Sequence, residues 1–265
     1  MSGFYIGVDG KARKVKGIYI GVDGVARKVK KGYIGDENGK ARLCWTSFEA
    51  DPVFANNTWE KIALACQLNA VPDSWAVGDQ KIMTINNVDY AIDIIGKNHD
   101  DYADGSGKAP LTFQMHDLWN VQFTMHDSRT NSCGWENSYM RTARIPLILE
   151  LFPSEIQAVI KEVNKLTSAG NKSSTIKTTA DKLFLLSEVE VQGRTVYSYT
   201  GEGTQYEYYA NGGDPEKKRN NTSEIWFTRS PSKQDTTSFC SVSASGGISA
   251  MYSNSAYSTS FAFCF

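Results

Sequence analysis

The chain has 265 residues, 41% apolar and 12% aromatic. That is enough for one large packed domain with an appendage, or two modest ones, and excludes wholesale disorder. Its 28 Lys+Arg against 29 Asp+Glu leave a net charge of −1, which argues against a general nucleic-acid binder. No run reaches the roughly 18 apolar residues of a membrane span; the best, Ile145 to Phe152, is broken by Glu150.

The charge is uneven along the chain. The first 45 residues hold ten Lys/Arg and four Asp/Glu, net +6, and the remaining 220 hold 18 and 25, net −7. The basic part is an internal repeat. Tyr5-Ile-Gly-Val-Asp-Gly-Lys-Ala-Arg-Lys-Val-Lys recurs from Tyr19 with Val25 in place of Lys11, and a third copy with one inserted residue starts at Tyr33, a period of 14. Asp9-Gly10, Asp23-Gly24 and Asn38-Gly39 are tight-turn dipeptides, because these residues tolerate positive φ. Each copy therefore reads as strand, turn, strand. A hairpin this short buries no core alone, so residues 1–45 are expected to attach or oligomerise the protein, the alternative being a flexible basic leader.

Residues 46–265 form the second expected domain. Asn57-Thr58 caps a helix starting at Trp59, with Trp59, Ile62, Ala63, Cys66 and Ala70 near one face, ended by Val71-Pro72-Asp73. Gly78 to Asn98 alternates as a hairpin turning at Asn86-Asn87, and Asn98 to Pro110 is a polar loop. Within that loop, His99-Asp100-Asp101 and Asp104 miss the EF-hand spacing and read as solvated. Gly105-Ser-Gly-Lys108 lacks the pattern of a phosphate loop, and Gly201-Glu-Gly203 that of a dinucleotide fingerprint.

His116 and His126 have no third ligand in register, so no metal site is expected. Two helical patterns follow, Ser138–Phe152 and Pro153–Ser168. The second has Ile156, Val159, Ile160, Val163 and Leu166 as its stripe and stops at Ala169-Gly170-Asn171. Lys182 to Ser187 is a buried strand by composition. Strands and helices mix without βαβ alternation, so the class is α+β.

The last 32 residues, Gln234 to Phe265, contain one charged group, Asp235. They hold nine Ser and six aromatics: Phe239, Tyr252, Tyr257, Phe261, Phe263 and Phe265. Ser238–Ser243 reads as a strand, Ser245-Gly-Gly247 as a turn, and a second strand ends in Phe261-Ala-Phe-Cys-Phe. Tyr gives contact area at low entropy cost, and Ser and Asn give adaptable hydrogen bonds, so a ligand-facing surface is preferred over a plain Ser-rich hairpin. The five cysteines are scattered, with no C-x-x-C pair, and read as reduced buried thiols. No Ser-His-Asp set has local support, and few titratable groups lie near the C-terminus, so no catalytic residues and no cofactor are assigned.

Several segments together resemble a known family. They are Val77-Gly78-Asp79, Ile94-Ile95-Gly96-Lys-Asn98-His99-Asp100, Gly134-Trp135-Glu136-Asn137-Ser138-Tyr-Met140-Arg141, Thr179-Ala-Asp181 to Glu190, and Trp226-Phe-Thr-Arg229-Ser230-Pro231 with the aromatic C-terminus. They are similar to an uncharacterised family of gut Firmicutes and phage proteins with a C-type-lectin-like fold. That fold is shared with formylglycine-generating enzymes and with retroelement-diversified phage receptor-binding proteins. The N-terminal repeats resemble those of Firmicutes phage structural proteins.

The resemblance implies a virion or tail protein, made in the bacterial cytoplasm without a signal peptide and displayed on the virion surface. It would bind a host-cell surface protein or glycan, contact other virion proteins, and form a homo-oligomer, a trimer by analogy with phage fibres. It implies scaffold roles for Trp135, Arg141, Trp226 and Arg229. It places the ligand-binding surface on Phe227, Thr228, Lys233, Gln234, Asp235, Thr236, Ser241, Ser243, Tyr252, Ser253, Asn254, Ser255, Tyr257 and Thr259. Ser258-Thr259-Ser260 stands where the family suggests a Gly-Val-Ala-like stretch. Relatives of the fold that use oxygen employ a C-terminal cysteine pair, but Cys240 and Cys264 lie 24 residues apart. Lectin sugar-binding triplets such as Glu-Pro-Asn are absent. The alternatives are a structural virion decoration and, behind it, a formylglycine-generating-type enzyme.

Overall fold

The computed structural model describes residues 5–8, 10–15, 17–29, 31–35, 40–46 and 48–265. They divide into two compact units, Met1–Ser74 and Trp75–Phe265. In the first unit each repeat is an antiparallel hairpin: β1 (Tyr5–Val8) with β2 (Lys11–Lys14), β3 (Tyr19–Val22) with β4 (Val25–Lys28), and β5 (Lys31–Gly35) with β6 (Ala41–Thr46). Asp23 and Gly24 both take positive φ, 52° and 76°, as a hairpin-matched turn requires. Asp9, Asn38 and Gly39 of the other two expected turns lie outside the described residues. Tyr19 faces Lys28 and Ile20 faces Arg27 across the ladder, and Ile20, Tyr19 and Val25 stay more than half exposed.

A capped helix closes this unit, α1 (Trp59–Gln67), whose N-cap Thr58 accepts a hydrogen bond from the Lys61 N–H. Ile62, Ala63, Ala65 and Cys66 are its buried face. Asn57 fixes the approach to it: its Oδ1 accepts from the Asp51 N–H at 2.8 Å and its Nδ2 donates to the Val53 carbonyl at 2.9 Å.

The second unit mixes small antiparallel sheets with few, short helices. In chain order it holds β7 (Gln80–Ile85), β8 (Val88–Lys97), β9 (Leu111–Met115), a π-helical turn (Met140–Arg144), α2 (Ile145–Leu149), α3 (Ser154–Gln157), β10 (Val163–Ser168), β11 (Ile176–Asp181), β12 (Leu183–Phe184), α4 (Glu188–Gln192), α5 (Glu207–Ala210), β13 (Lys218–Arg219), β14 (Thr222–Ser223), β15 (Trp226–Pro231), β16 (Ser238–Val242), β17 (Ile248–Tyr252) and β18 (Ala262–Cys264). The central sheet has the order β12-β18-β9-β8-β7, and a second sheet the order β15-β16-β17. Asn86 and Asn87 turn β7 into β8 at φ 49° and 62°.

The structure departs from the sequence expectations at three places. The helix expected over Ser138–Phe152 is a π-helical turn running into α2, ending at Leu149. The helix expected over Pro153–Ser168 is a single turn, α3, followed by strand β10. Val163, Lys165 and Thr167 alternate inward, a period of two that overlaps the helical stripe. The stop signal after it is the β10–β11 turn: Gly170 sits at φ +78°, and a Cβ there would lie 1.9 Å from the Asn131 carbonyl oxygen.

The third correction concerns the C-terminus. β16 pairs with β17 only as far as Ser238 opposite Tyr252. The aromatic end is a separate strand, β18, inserted between β12 and β9 with Phe263 opposite Phe113. Phe261, Phe263 and Phe265 alternate into the core, where the Phe113 ring lies 5.3 Å from Phe263 and 5.2 Å from Phe265. These are core aromatics, not surface ones. Among the described residues no helix is long and apolar enough to cross a membrane.

Candidate functional site

Beneath the C-terminal segment lies a buried chain of alternating charges. Asp100 and Lys165 pair at 2.7 Å, Lys165 and Glu190 at 2.8 Å, and Glu190 takes both terminal nitrogens of Arg229. All four are at most 4% exposed. The Tyr206 hydroxyl donates to Asp100 at 2.9 Å, and Thr112 at 2.6 Å. Arg229 also donates to the Leu185 and Glu202 carbonyls and to Thr167 Oγ1. Two cations thus balance two anions, which is what burial demands.

Despite the burial that opposes it, the Lys165 ammonium and the Thr112 hydroxyl hold Asp100 down at about 2. Glu202 joins the cluster from the side. It accepts from the Ser168 N–H at 2.9 Å and from the Ser230 hydroxyl, and burial pushes it up to about 7. The solvated reading of the Asn98–Pro110 loop is therefore wrong at Asp100, which is 4% exposed. The cause is Lys165, on a strand no local pattern connects to that loop.

Of the four residues implied to be scaffold, Trp135, Trp226 and Arg229 are buried and Arg141 is half-buried. Trp135 is fully buried and donates through Nε1 to Asp181 at 2.9 Å, while Arg141 Nε pairs with the same carboxylate at 2.6 Å. Trp226 is buried and donates to the Pro215 carbonyl at 3.1 Å. Arg229 is the terminal cation of the chain of charges.

The fourteen implied ligand-binding residues separate into two groups. Phe227, Thr228, Ser241, Ser253 and Thr259 are at most 2% exposed and offer nothing to a partner, contrary to the expectation. Phe227 packs edge-on against Tyr257 at 5.4 Å, and Thr228 Oγ1 donates to the Cys240 carbonyl. β15 and β16 are buried on both faces, so alternation along them turns no side chain out to solvent, and Ser253 and Thr259 are covered in the closing segment. Gln234, Thr236, Tyr252 and Asn254 are exposed, and Lys233, Asp235, Ser243, Ser255 and Tyr257 are half-buried.

The exposed group stands on two fixed loops. The Asn131 carboxamide donates to the carbonyls of Ser232 at 3.1 Å, Asp235 at 3.0 Å and Ser238 at 2.9 Å, and its oxygen accepts from the Asn171 N–H. That single side chain pins the 232–238 loop. Ser253 pins the other: its hydroxyl accepts from the Thr130 N–H and donates to the Ser128 carbonyl. Its backbone bonds to Thr237 and His126. Tyr252 projects 47% exposed, with the Arg129 guanidinium stacked 3.3 Å from its ring centroid. The patch therefore combines an aromatic–cation pair with neutral hydrogen-bonding groups on a rigid backbone.

The sequence reading missed Asn131, Arg129 and Lys165. Each acts on residues about 25 to 120 positions away, and none sits in a pattern that one sequence displays. Cys240 and Cys264 lie on strands of different sheets, both as buried free thiols that burial raises well above the usual thiol range. Such thiols are packing groups rather than nucleophiles. Among the described residues no group of three His, Cys, Asp or Glu is placed to hold a metal.

No curated protein and no solved structure matches the chain. A family described as a domain of unknown function, DUF6273, matches residues 50–264, so α1, both large sheets, the buried charges and the exposed patch all fall within it, and the chain belongs to that family.

Proposed function

We propose that this is a phage virion or tail-associated receptor-binding protein with a C-type-lectin-like domain over residues 46–265. It binds a host-cell surface protein or glycan through the patch of Gln234, Thr236, Tyr252 and Asn254. The observation that carries this reading is the separation of frame from face. Asn131 and Ser253 hold the loops through backbone atoms, so the exposed side chains are free to differ without loss of the fold. A face whose side chains are exchangeable on a fixed backbone is also what retroelement diversification needs.

The patch has the composition of a binding surface: a large aromatic, an arginine, and small polar groups. It is non-enzymatic in this reading. The hairpin repeats attach the protein to the virion and bring copies together, a trimer by analogy with fibres, so that several weak contacts add as avidity.

The test is binding of the purified, fluorescently labelled full chain to a panel of gut Firmicutes strains, with each strain also pretreated with protease or with periodate. Saturable binding to some strains and not others is expected, with protease or periodate sensitivity assigning a protein or a glycan. A folded, multimeric protein that binds no strain would move the reading to a structural virion decoration.

A further inference from the structure

Separate from the patch, the second unit carries a surface groove of about 280 Å³, just below the ~300 Å³ at which small-molecule pockets begin. Tyr90, Trp119, Phe123, Arg144, Leu147 and Leu151 are among the residues lining it. We propose that this groove docks a segment of a partner protein that presents a bulky aliphatic side chain next to a carboxylate.

The rim argues for an occupant larger than the cavity. Val88 is 38% exposed, Val121 48%, Leu147 57% and Leu151 41%, and all four border the groove. A small ligand filling the cavity would leave this apolar margin in water, whereas a protein segment covers it.

Charge complementarity supplies the carboxylate. Arg144 closes the π-helical turn and lies over the rings of Tyr139, at 4.8 Å, and Phe123, at 5.8 Å. Its Nε is buried with no hydrogen-bond partner, and it forms no ion pair among the described residues. The other arginines of this unit that are buried or half-buried, Arg141, Arg219 and Arg229, each pair with a carboxylate. A guanidinium held on aromatic faces at an apolar groove, without an ion pair, is matched by an incoming carboxylate.

The rings argue against a sugar. Tyr90 and Trp119 stack on each other at 5.0 Å and 7°, and are only 7% and 4% exposed, so neither offers a face for stacking. The inference does not rest on the receptor-binding reading. Its residues are distinct from Gln234, Thr236, Tyr252 and Asn254.

The test is selection of a random peptide display library on the immobilised full chain, with counter-selection on the Leu147→Asp protein. Enriched sequences should pair Leu, Ile, Met or Phe with a neighbouring Asp or Glu. A synthetic peptide of that sequence, measured by calorimetry, should lose about tenfold in affinity on Arg144→Gln. Its Asp→Asn or Glu→Gln counterpart should bind equally to both proteins. Leu147→Asp and, as a second variant, Val121→Asp should abolish binding, with melting temperatures confirming that each variant folds. Alanine at Gln234, Thr236, Tyr252 and Asn254 should leave peptide binding unchanged.

The proposal is overturned if no peptide is enriched over the Leu147→Asp protein, or if the enriched peptides carry no acid and ignore Arg144→Gln. Arg144-dependent binding of decanoate with no peptide enriched would assign the groove to a free amphiphile and overturn it as well.

Discussion

Replacing Glu202 with Gln should remove about 2.5 kcal/mol of the stability lost between pH 5 and 8. Glu202 is fully buried beside Arg229 and Glu188, and burial lifts it from 4.5 to about 7. The folded state therefore holds a proton that the unfolded chain has already released above pH 4.5. Stability from this group is complete below 4.5 and is lost as pH rises through about 7. A rise from 4.5 to about 7 is worth about 3 kcal/mol. Gln keeps the shape and carries no proton to lose. The assay is urea unfolding of both proteins at pH 5 and pH 8, in parallel. The wild type should lose about 2.5 kcal/mol more than the variant over that range, because part of the contribution is already gone at pH 5. His116, raised by its hydrogen bond to Asp93, also loses its contribution as pH rises, but it does so in both proteins and cancels in the comparison. An equal loss in both, or a wild type that gains on the variant at pH 8, would refute the assignment of a protonated buried Glu202.

Lys165→Met should cost about 3 to 5 kcal/mol, because Asp100 and Glu190 would stay buried with one cation fewer between them; chemical denaturation measures this directly. Asn131→Ala should cost about 2 to 3 kcal/mol by leaving the Ser232, Asp235 and Ser238 carbonyls short of a donor, and hydrogen exchange should speed up across residues 232–238. Thr259→Val should be neutral or stabilising by about 1 kcal/mol, since the Thr259 hydroxyl is buried with no partner; a large loss of melting temperature would show that this hydroxyl is used.

Local signals in the sequence carried the elements whose causes are local. The 14-residue repeat, the Asp23-Gly24 turn, the Thr58 cap and the Asn86-Asn87 turn all depend on a few adjacent residues, and all stand as read. The misreadings arose where tertiary pairing overrode local pattern. Val163 and Leu166 fit a helical stripe, but pairing with Ile176–Asp181 holds that segment extended and turns Lys165 inward to Asp100. Phe261 to Phe265 read as the end of a surface hairpin, but the vacancy between β9 and β12 is filled by that strand. At the patch, composition pointed to the right segment and could not tell face from core. Tyr252 and Ser253 are adjacent, yet one is 47% exposed and the other fully buried. That difference is set by Thr130 and Ser128, more than 120 residues away.

The most direct test of the account is saturation binding of the full chain, beside a variant with Ala at Gln234, Thr236, Tyr252 and Asn254, to a gut Firmicutes strain that the wild type recognises. All four positions are exposed, so the variant should melt at the wild-type temperature. The account predicts that the folded variant loses strain-selective binding. Undiminished binding by the variant would contradict it and would take recognition away from this surface.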